Sequence, residues 1–256
     1  MERCNLSRNF EQENFYDEYA HCWARRSFER NFYREGVLAA ANGYAKNALG
    51  DIKGKRVLDL GCGKGTTSVE FAKDGAMVSA IDMSKEMVKA TRRIVQKYGV
   101  EGRVNVNQMT VEDLKFPDAL FDCVYGHSIL HHIDLETGSR EIKRVLRKGG
   151  KAVFVEPLGH NFFLRLYRKF TPRSRTRSEK PLMFGDIRKI ARNFSRFKYE
   201  TFYLLSLLPF IWRIIFKNEN RFQKSFRQFQ VLDNFILEHF FFLRKYCWII
   251  VLEFTK

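Results

Sequence analysis

Residues 57–65 read VLDLGCGKG, and the fold turns on how that stretch is taken. An apolar run with one acid inside it, Val57 to Leu60, has the pattern of a buried strand. Three glycines follow at alternate positions, Gly61, Gly63 and Gly65. Glycine after a strand permits positive φ in a tight turn and lets a ligand approach bare backbone. The same grammar repeats outward. RVLDLG (56–61) predicts a strand, 66–73 a helix, MVSAID (77–82) a strand, and 84–98 a helix capped by Ser84. RVNVNQ (103–108) and FDCVYG (121–126) are the third and fourth strands, 135–146 a helix, and KAVFVEP (151–157) the fifth strand after a Gly149-Gly150 turn. Such alternation predicts an α/β fold built on a doubly wound, mostly parallel sheet with both faces covered.

The flanks complete a single domain. Residues 1–49 read as an N-terminal helical cap: Phe15, Tyr16, Tyr19 and Trp23 recur at helical spacing, as do Val37, Leu38, Ala41, Ala45 and Leu49. Residues 50–160, with the glycine turn and the alternating strands and helices, read as the core of the domain. In 161–256, FGDIRKIARNF (184–194) reads as a helix, KYETFYLL (198–205) as a strand, 205–244 as helices with apolar faces, and YCWIIVLEF (246–254) as the last strand. Two late strands separated by a helical insertion bring the sheet to seven.

Composition narrows the class. With 256 residues and 45% hydrophobic content the chain should fold and not remain disordered. The N-terminus lacks the apolar stretch of a signal peptide. The most apolar segment, 202–216, holds Pro209 and Arg213 and is too short to span a bilayer. The five cysteines are scattered and have no metal-ligand spacing, so the expectation is reduced thiols, no metal and a cytoplasmic location. The net charge is +16, and residues 161–256 hold 20 Lys and Arg against 7 Asp and Glu, with 23 of the 38 aromatic residues. Two readings stay open: an anionic partner with an apolar body, or a solvated basic surface around an aromatic core.

The loop has its own chemistry. Asp82 ends the second predicted strand, where a carboxylate can accept hydrogen bonds from both hydroxyls of a ribose. Thr66 stands where a dinucleotide fingerprint has its third glycine, and no Lys-Ser/Thr pair closes the loop as in a triphosphate site. Asp59 would repel a pyrophosphate and suits a cofactor bearing an amine and a sulfonium.

VLDLGCGKG, AIDMSKEMVKATRR, VEDLKFPDALFDCVYGHSILHHI and EIKRVLRKGGKAVFVEP, in that order, resemble the successive motifs of class I S-adenosylmethionine-dependent methyltransferases over about residues 50–157. The resemblance implies a Rossmann-like fold and S-adenosyl-L-methionine as cofactor. It implies that Gly61, Cys62, Gly63 and Gly65 line the methionine part, that Asp59 faces the amino group, that Asp82 holds the ribose and that Met83 packs on adenine. Thr110 stands where members often carry Asp, followed by Val111 and Glu112, so the adenine contact is weakened but kept. His127, Tyr16 and Tyr19 complete the implied cofactor set. EPLGHNFFLRLYRKFTPRSRTRSEKPL (156–182) resembles a segment of small-molecule methyltransferases, some of natural-product pathways.

Methyl transfer from a sulfonium is an in-line displacement, so the protein must mainly align the partners and exclude water. A base is needed only for an acceptor that carries a proton. Histidine titrates in the useful range. His160 is the leading base candidate, with Glu156 to orient it and His127 as the further candidate; His131 reads as structural. Tyr16, Tyr19 and Trp23 form an aromatic lid or ordinary helix packing. Trp23, His132, Asn161, Arg165, Arg168 and Arg175 are the candidate acceptor-binding residues, since Arg forks match carboxylate and phosphate.

The expected function is O- or C-methylation of a small or medium-sized, partly apolar and anionic acceptor, such as a carboxylate of a short peptide or other natural product. The alternatives are RNA methylation and methylation of a lipid or isoprenoid at a membrane surface. No Asn/Asp-Pro-Pro-Tyr/Phe motif, Pro-Cys pair or appended RNA module is present, so no obligate nucleic-acid partner is expected. The apolar helices around 204–216 and 235–243 are suited to peripheral membrane contact or to a homo-oligomer.

Overall fold

Val57, Leu58 and Leu60 have no exposed surface, because the strand they form, β1 (Arg56–Leu60), lies inside the sheet with both faces covered. The computed structural model describes residues 10–18, 37–162, 165, 169, 180–210, 212 and 216–256. Within them β2 (Met77–Asp82), β3 (Val104–Gln108), β4 (Phe121–His127), β5 (Leu146–Pro157), β6 (Arg196–Phe202) and β7 (Ile249–Thr255) join β1 in one sheet of seven strands. The order is β3-β2-β1-β4-β5-β7-β6. Strands β1 to β5 pair in parallel, and β7 runs antiparallel to both β5 and β6. This is the doubly wound, Rossmann-like sheet expected from the sequence.

Helices cover both faces. On one, α2 (Ala39–Leu49), α3 (Thr66–Lys73) and α4 (Lys85–Lys97) bury Ala41, Ala45, Phe71, Ala72 and Val88 against Val57, Val78 and Val153. On the other, α5 (Leu135–Val145) and α6 (Phe184–Ala191) bury Ile142, Val145, Ile187 and Ile190 against Leu58, Leu60, Phe154 and Phe254. Each buried aliphatic or aromatic side chain is worth about 1.5–3 kcal/mol against exposure. Helix α4 begins where predicted: the Ser84 side chain accepts from Met87 N at 3.1 Å. Another helix, α1 (residues 10–18), docks on that end, with Asp17 accepting from Ser84 Oγ and, at 3.1 Å, from Glu86 N.

The structure departs from the sequence reading in two places. Strand β5 starts at Leu146, not after Gly149-Gly150. A register shift between Phe121 and Cys123 absorbs the glycines, and Gly149, at φ 75°, turns to donate to Lys256 O. In the late region one long helix, α7 (Glu219–His239), and a 3-10 helix (Phe241–Tyr246) lie between β6 and β7. Asp233, buried on the inner face of α7, accepts from Leu204 N, Leu205 N and Ser206 N at 2.9, 2.7 and 3.1 Å, and from Ser206 Oγ. One carboxylate thus ties the helix to the turn that leaves β6.

Candidate active site

A cleft of about 380 Å³ opens at the carboxyl ends of β1, β2 and β4 and the end of β5. That is within the roughly 300–1,000 Å³ of small-ligand sites, and it lies where an open α/β sheet places them. A hollow of about 390 Å³ at the opposite edge, lined by Arg56, Met77 and Arg103, is as large. Chemistry separates them: the carboxyl-edge cleft gathers Asp82, Glu112, His127, His131 and His132 around backbone turns.

The first turn follows β1. Gly61, Gly63 and Gly65 all have positive φ, 64°, 55° and 74°. At Gly63 the positive φ alone favours glycine, for a Cβ there would meet no atom within 4 Å, and the residue lines the cleft. Gly65 must be glycine for the fold, since a Cβ would sit 2.5 Å from Thr91. Asp82 at the end of β2 accepts from Gly63 N and Ser84 N, both at 2.9 Å. One bond to each oxygen leaves further lone pairs to accept from a ligand. Burial raises its carboxyl from 3.8 to about 6, against the pull of the Ser84 and Gly63 amides, and neighbouring Asp17 adds to the rise. Cys62 is raised well above the ordinary thiol range by burial and by Asp82 and Asp59, so it is an inert thiol.

The other wall comes from the turns after β3 and β4. Met109, Thr110, Val111 and Glu112 line the cleft together with Met83 and Met87. Glu112 also accepts from Asp134 N at 2.9 Å, and Arg144 of α5 donates to Leu114 O and Phe116 O, both at 2.8 Å. These bonds tie the wall to α5.

After β4 the backbone turns sharply through Ser128, at φ 56°. A non-glycine residue holds that conformation only when its surroundings impose it. Glu156 imposes it. Fully buried on β5, it accepts from Ile129 N at 2.7 Å, Leu130 N at 2.8 Å and His131 Nδ1 at 2.6 Å. With the proton on Nδ1, the His131 nitrogen left to act as acceptor is Nε2. His132 packs against His131 with ring centroids 4.1 Å apart, and its Nε2 lies 2.9 Å from Tyr16 Oη. Gln12 Nε2 donates to His132 O at 3.0 Å, so α1 closes one side of the cleft through Gln12 and Tyr16.

The candidates therefore divide. Gly61, Gly63, Asp82, Met83, Thr110, Val111, Glu112, His127, His132 and Tyr16 meet at one cleft. Asp59 does not line it. It is buried one layer behind, where it accepts from Ser68 Oγ of α3 at 2.5 Å. Cys62 and Gly65 also stand behind the lining, Cys62 Sγ 3.5 Å from Thr91 Oγ1. Glu156 orients His131 and not His160. His160 packs on Phe184, ring centroids 6.1 Å apart, away from the cleft lining. Burial, Lys245 and Arg165 lower its pKa. Asn161 is buried and donates to Tyr246 O at 2.8 Å, and Arg165 is exposed. Tyr19, Trp23, Arg168 and Arg175 lie outside the described residues. Sequence reasoning missed Gln12, Met109 and Ser128. A serine's positive φ leaves no mark in composition, and a lone glutamine on a polar helix none either.

Residues 58–154 match the family model described as a methyltransferase domain. The chain is 37% identical over 102 residues to methyltransferase YcgJ of Bacillus subtilis, covering 40% of each. It is 35% identical over 113 residues to a ubiquinone biosynthesis O-methyltransferase of Alkalilimnicola ehrlichii, covering 43% of this chain and 45% of the relative. The matches thus span less than half the length of these curated relatives. Among solved structures, geranyl diphosphate C-methyltransferase of Streptomyces coelicolor superposes with a TM-score of 0.61 at 13% identity, over 88% of this chain and 84% of that one. Residues 58–154 are thus similar to a methyltransferase domain, and the chain shares the Rossmann-like fold of that structural neighbour.

Proposed function

We propose that the protein transfers a methyl group from S-adenosylmethionine to a small or medium-sized, partly apolar acceptor with an anionic group. The observation that carries this reading is the cleft itself: Asp82 and Glu112 face apolar methionines and glycine backbone, with Lys64 as the one cation among the lining residues. A pyrophosphate would meet two carboxylates. A cationic nucleoside meets acceptors for its hydroxyls and amines and an apolar slot for its base.

When bound, the cofactor supplies a methyl already activated by its sulfonium. The chain's part is to bind, align and exclude water. Asp82 accepts from the ribose hydroxyls, and Met83, Met109 and Val111 sandwich the adenine. Gly61 and Gly63 leave room for the methionine tail, with Asp59 acting from behind through the turn. Tyr16 and Gln12 cover the mouth. For an acceptor that carries a proton, His131 Nε2 takes it while Glu156 holds the ring. A carboxylate acceptor needs no base. The excess of Lys and Arg beyond residue 160 suits an anionic head group, as borne by the geranyl diphosphate that the structural neighbour binds.

Calorimetry tests the assignment. S-adenosylmethionine should bind, NAD should not, and Asp82→Ala should cost about 1.5–3 kcal/mol of binding energy by removing charge-assisted hydrogen bonds. Unchanged affinity in that variant removes the ribose contact. Labelled cofactor with a metabolite extract, read by mass spectrometry, then identifies the acceptor.

A further inference from the structure

From α7 to β7 the molecule leaves large apolar side chains uncovered. Val231 is 71% exposed and Phe235 59%, with Leu232 also exposed beside them. The helix buries Phe222, Phe226, Asp233 and Leu237, so these three share the opposite face. Directly after it Phe240, Phe241 and Phe242 are 48%, 70% and 61% exposed. Three consecutive exposed phenylalanines cannot belong to one helix face or one strand face. They form a projecting knob.

The knob's place follows from the register. Ile249, the first residue of β7, pairs with Pro157, the last of β5. The chain therefore enters β7 from the carboxyl edge of the parallel strands, the edge that carries the cleft. Leu158 N donates to Trp248 O and Asn161 Nδ2 to Tyr246 O, both at 2.8 Å, which fastens this entry to the loop after β5. Lys224 and Arg227 lie on the exposed face of α7 with Glu238, and Lys245 is exposed at the end of the knob. No helix among the described residues is long and apolar enough to cross a membrane.

We propose that this surface docks the protein peripherally on an anionic lipid bilayer. Phe240, Phe241 and Phe242 enter the boundary between head groups and acyl chains, and Val231, Leu232 and Phe235 lie along it. Lys224, Arg227 and Lys245 meet the lipid phosphates. A second copy of the chain would need a groove shaped to the knob, whereas a bilayer yields to any apolar wedge. The excess of cations over the last 96 residues, 20 against 7 acids, complements an anionic surface and opposes pairing with itself. Docking turns the cleft's edge of the sheet toward the layer in which an apolar acceptor dissolves.

The full chain, without cofactor, is sedimented with vesicles of phosphatidylcholine alone and of phosphatidylcholine with phosphatidylglycerol. Binding to the mixed vesicles is expected, weaker in high salt and weaker still on phosphatidylcholine. Phe241→Ser with Phe242→Ser should lower the partition coefficient at least about tenfold, with the melting temperature kept. Lys224→Glu with Arg227→Glu should remove the preference for phosphatidylglycerol. The proposal is overturned if the wild type stays in solution with both vesicles, if the phenylalanine variant sediments like the wild type, or if both vesicles bind equally. It is also overturned by a lipid-indifferent dimer that the phenylalanine variant dissociates. The measurement needs neither cofactor nor acceptor, so a failure of the methyl-transfer reading leaves its outcome unchanged.

Discussion

Two buried carboxylates organise two regions of this molecule, and they do different work with the same chemistry. In the cofactor half Glu156 gathers two backbone amides and His131 Nδ1. In the late half Asp233 gathers three backbone amides and Ser206 Oγ. Each replaces the water that a buried carboxylate would otherwise need. Glu156 spends one oxygen on a side chain that faces a cleft, so its order is passed to the cleft lining. Asp233 spends both on a turn and a hydroxyl, so its order becomes attachment. A fully satisfied acid in a core is thus no sign of catalysis by itself; what it holds decides.

Removing each carboxylate tests that contrast, and Glu156 should give the largest effect. Glu156→Ala leaves two amides and a histidine buried without their acceptor, and Ser128 loses what holds its strained backbone. Urea unfolding should show a loss of about 3–5 kcal/mol. A loss below about 1 kcal/mol would mean the turn is held by its packing and not by the acid.

Kinetics separate His131 from His160, the base candidate of the sequence reading. His131→Asn should lower turnover of a protonated acceptor by about 10²–10⁴-fold with cofactor affinity preserved. His160→Ala should leave turnover within about twofold, since His160 lies off the cleft and acts on no transition-state charge. The reverse pattern would return the base to His160 and strip the Glu156–His131 pair of its chemical role.

Asp233→Ala comes next. Unsatisfied amides at the turn after β6 should cost about 2–3 kcal/mol. Because α7 meets the sheet through Phe222 and Phe226 as well, the helix should detach before the sheet melts. Hydrogen exchange would show faster opening over 219–246 with β1 to β5 still protected. Uniform loss of protection throughout would mean that the two regions unfold as one.

The contrast also explains what could be read in advance. The boundaries of α3 and β2 and the Ser84 cap stand in the residues, because a parallel strand buried on both faces and an amphipathic helix each leave a periodic trace. Asp82 and the glycine turn were legible because strand ends and backbone approach demand few residue types. Asp233 went unread although it interrupts the apolar series Phe222, Phe226, Leu237, for an acid on such a face looks like noise until its partners at 204–206 come into place. His131 was read as structural for a related reason. Its partner lies 25 residues away on another strand, and only the β4–β5 register brings the two within 2.6 Å. The pairing of β7 between β5 and β6 likewise depends on a long return of chain that no local pattern encodes.

The smallest effect is a pH dependence confined to the cleft, and its sign distinguishes the cofactor half from the late one. Asp82 titrates near 6 in the folded protein and near 3.8 when free of its surroundings. The fold thus prefers the protonated acid between those values. As pH rises from about 4 to 6 the ligand-free protein loses the stability this preference contributes, and above 6 the effect is complete. Ligand binding runs the other way, because ribose hydroxyls donate to the ionised carboxylate. Cofactor affinity should hold between about pH 6 and 7, below the titration of the cofactor's own amine, and fall by up to roughly tenfold per pH unit below 6. Asp82→Asn should flatten both curves while lowering affinity throughout. Vesicle binding through Phe240–Phe242 should not share this inflection, since Asp82 belongs to the cleft and not to the docking surface. An affinity profile that stays flat down to pH 4.5 would place the carboxylate outside the cofactor's reach, whatever the cleft holds.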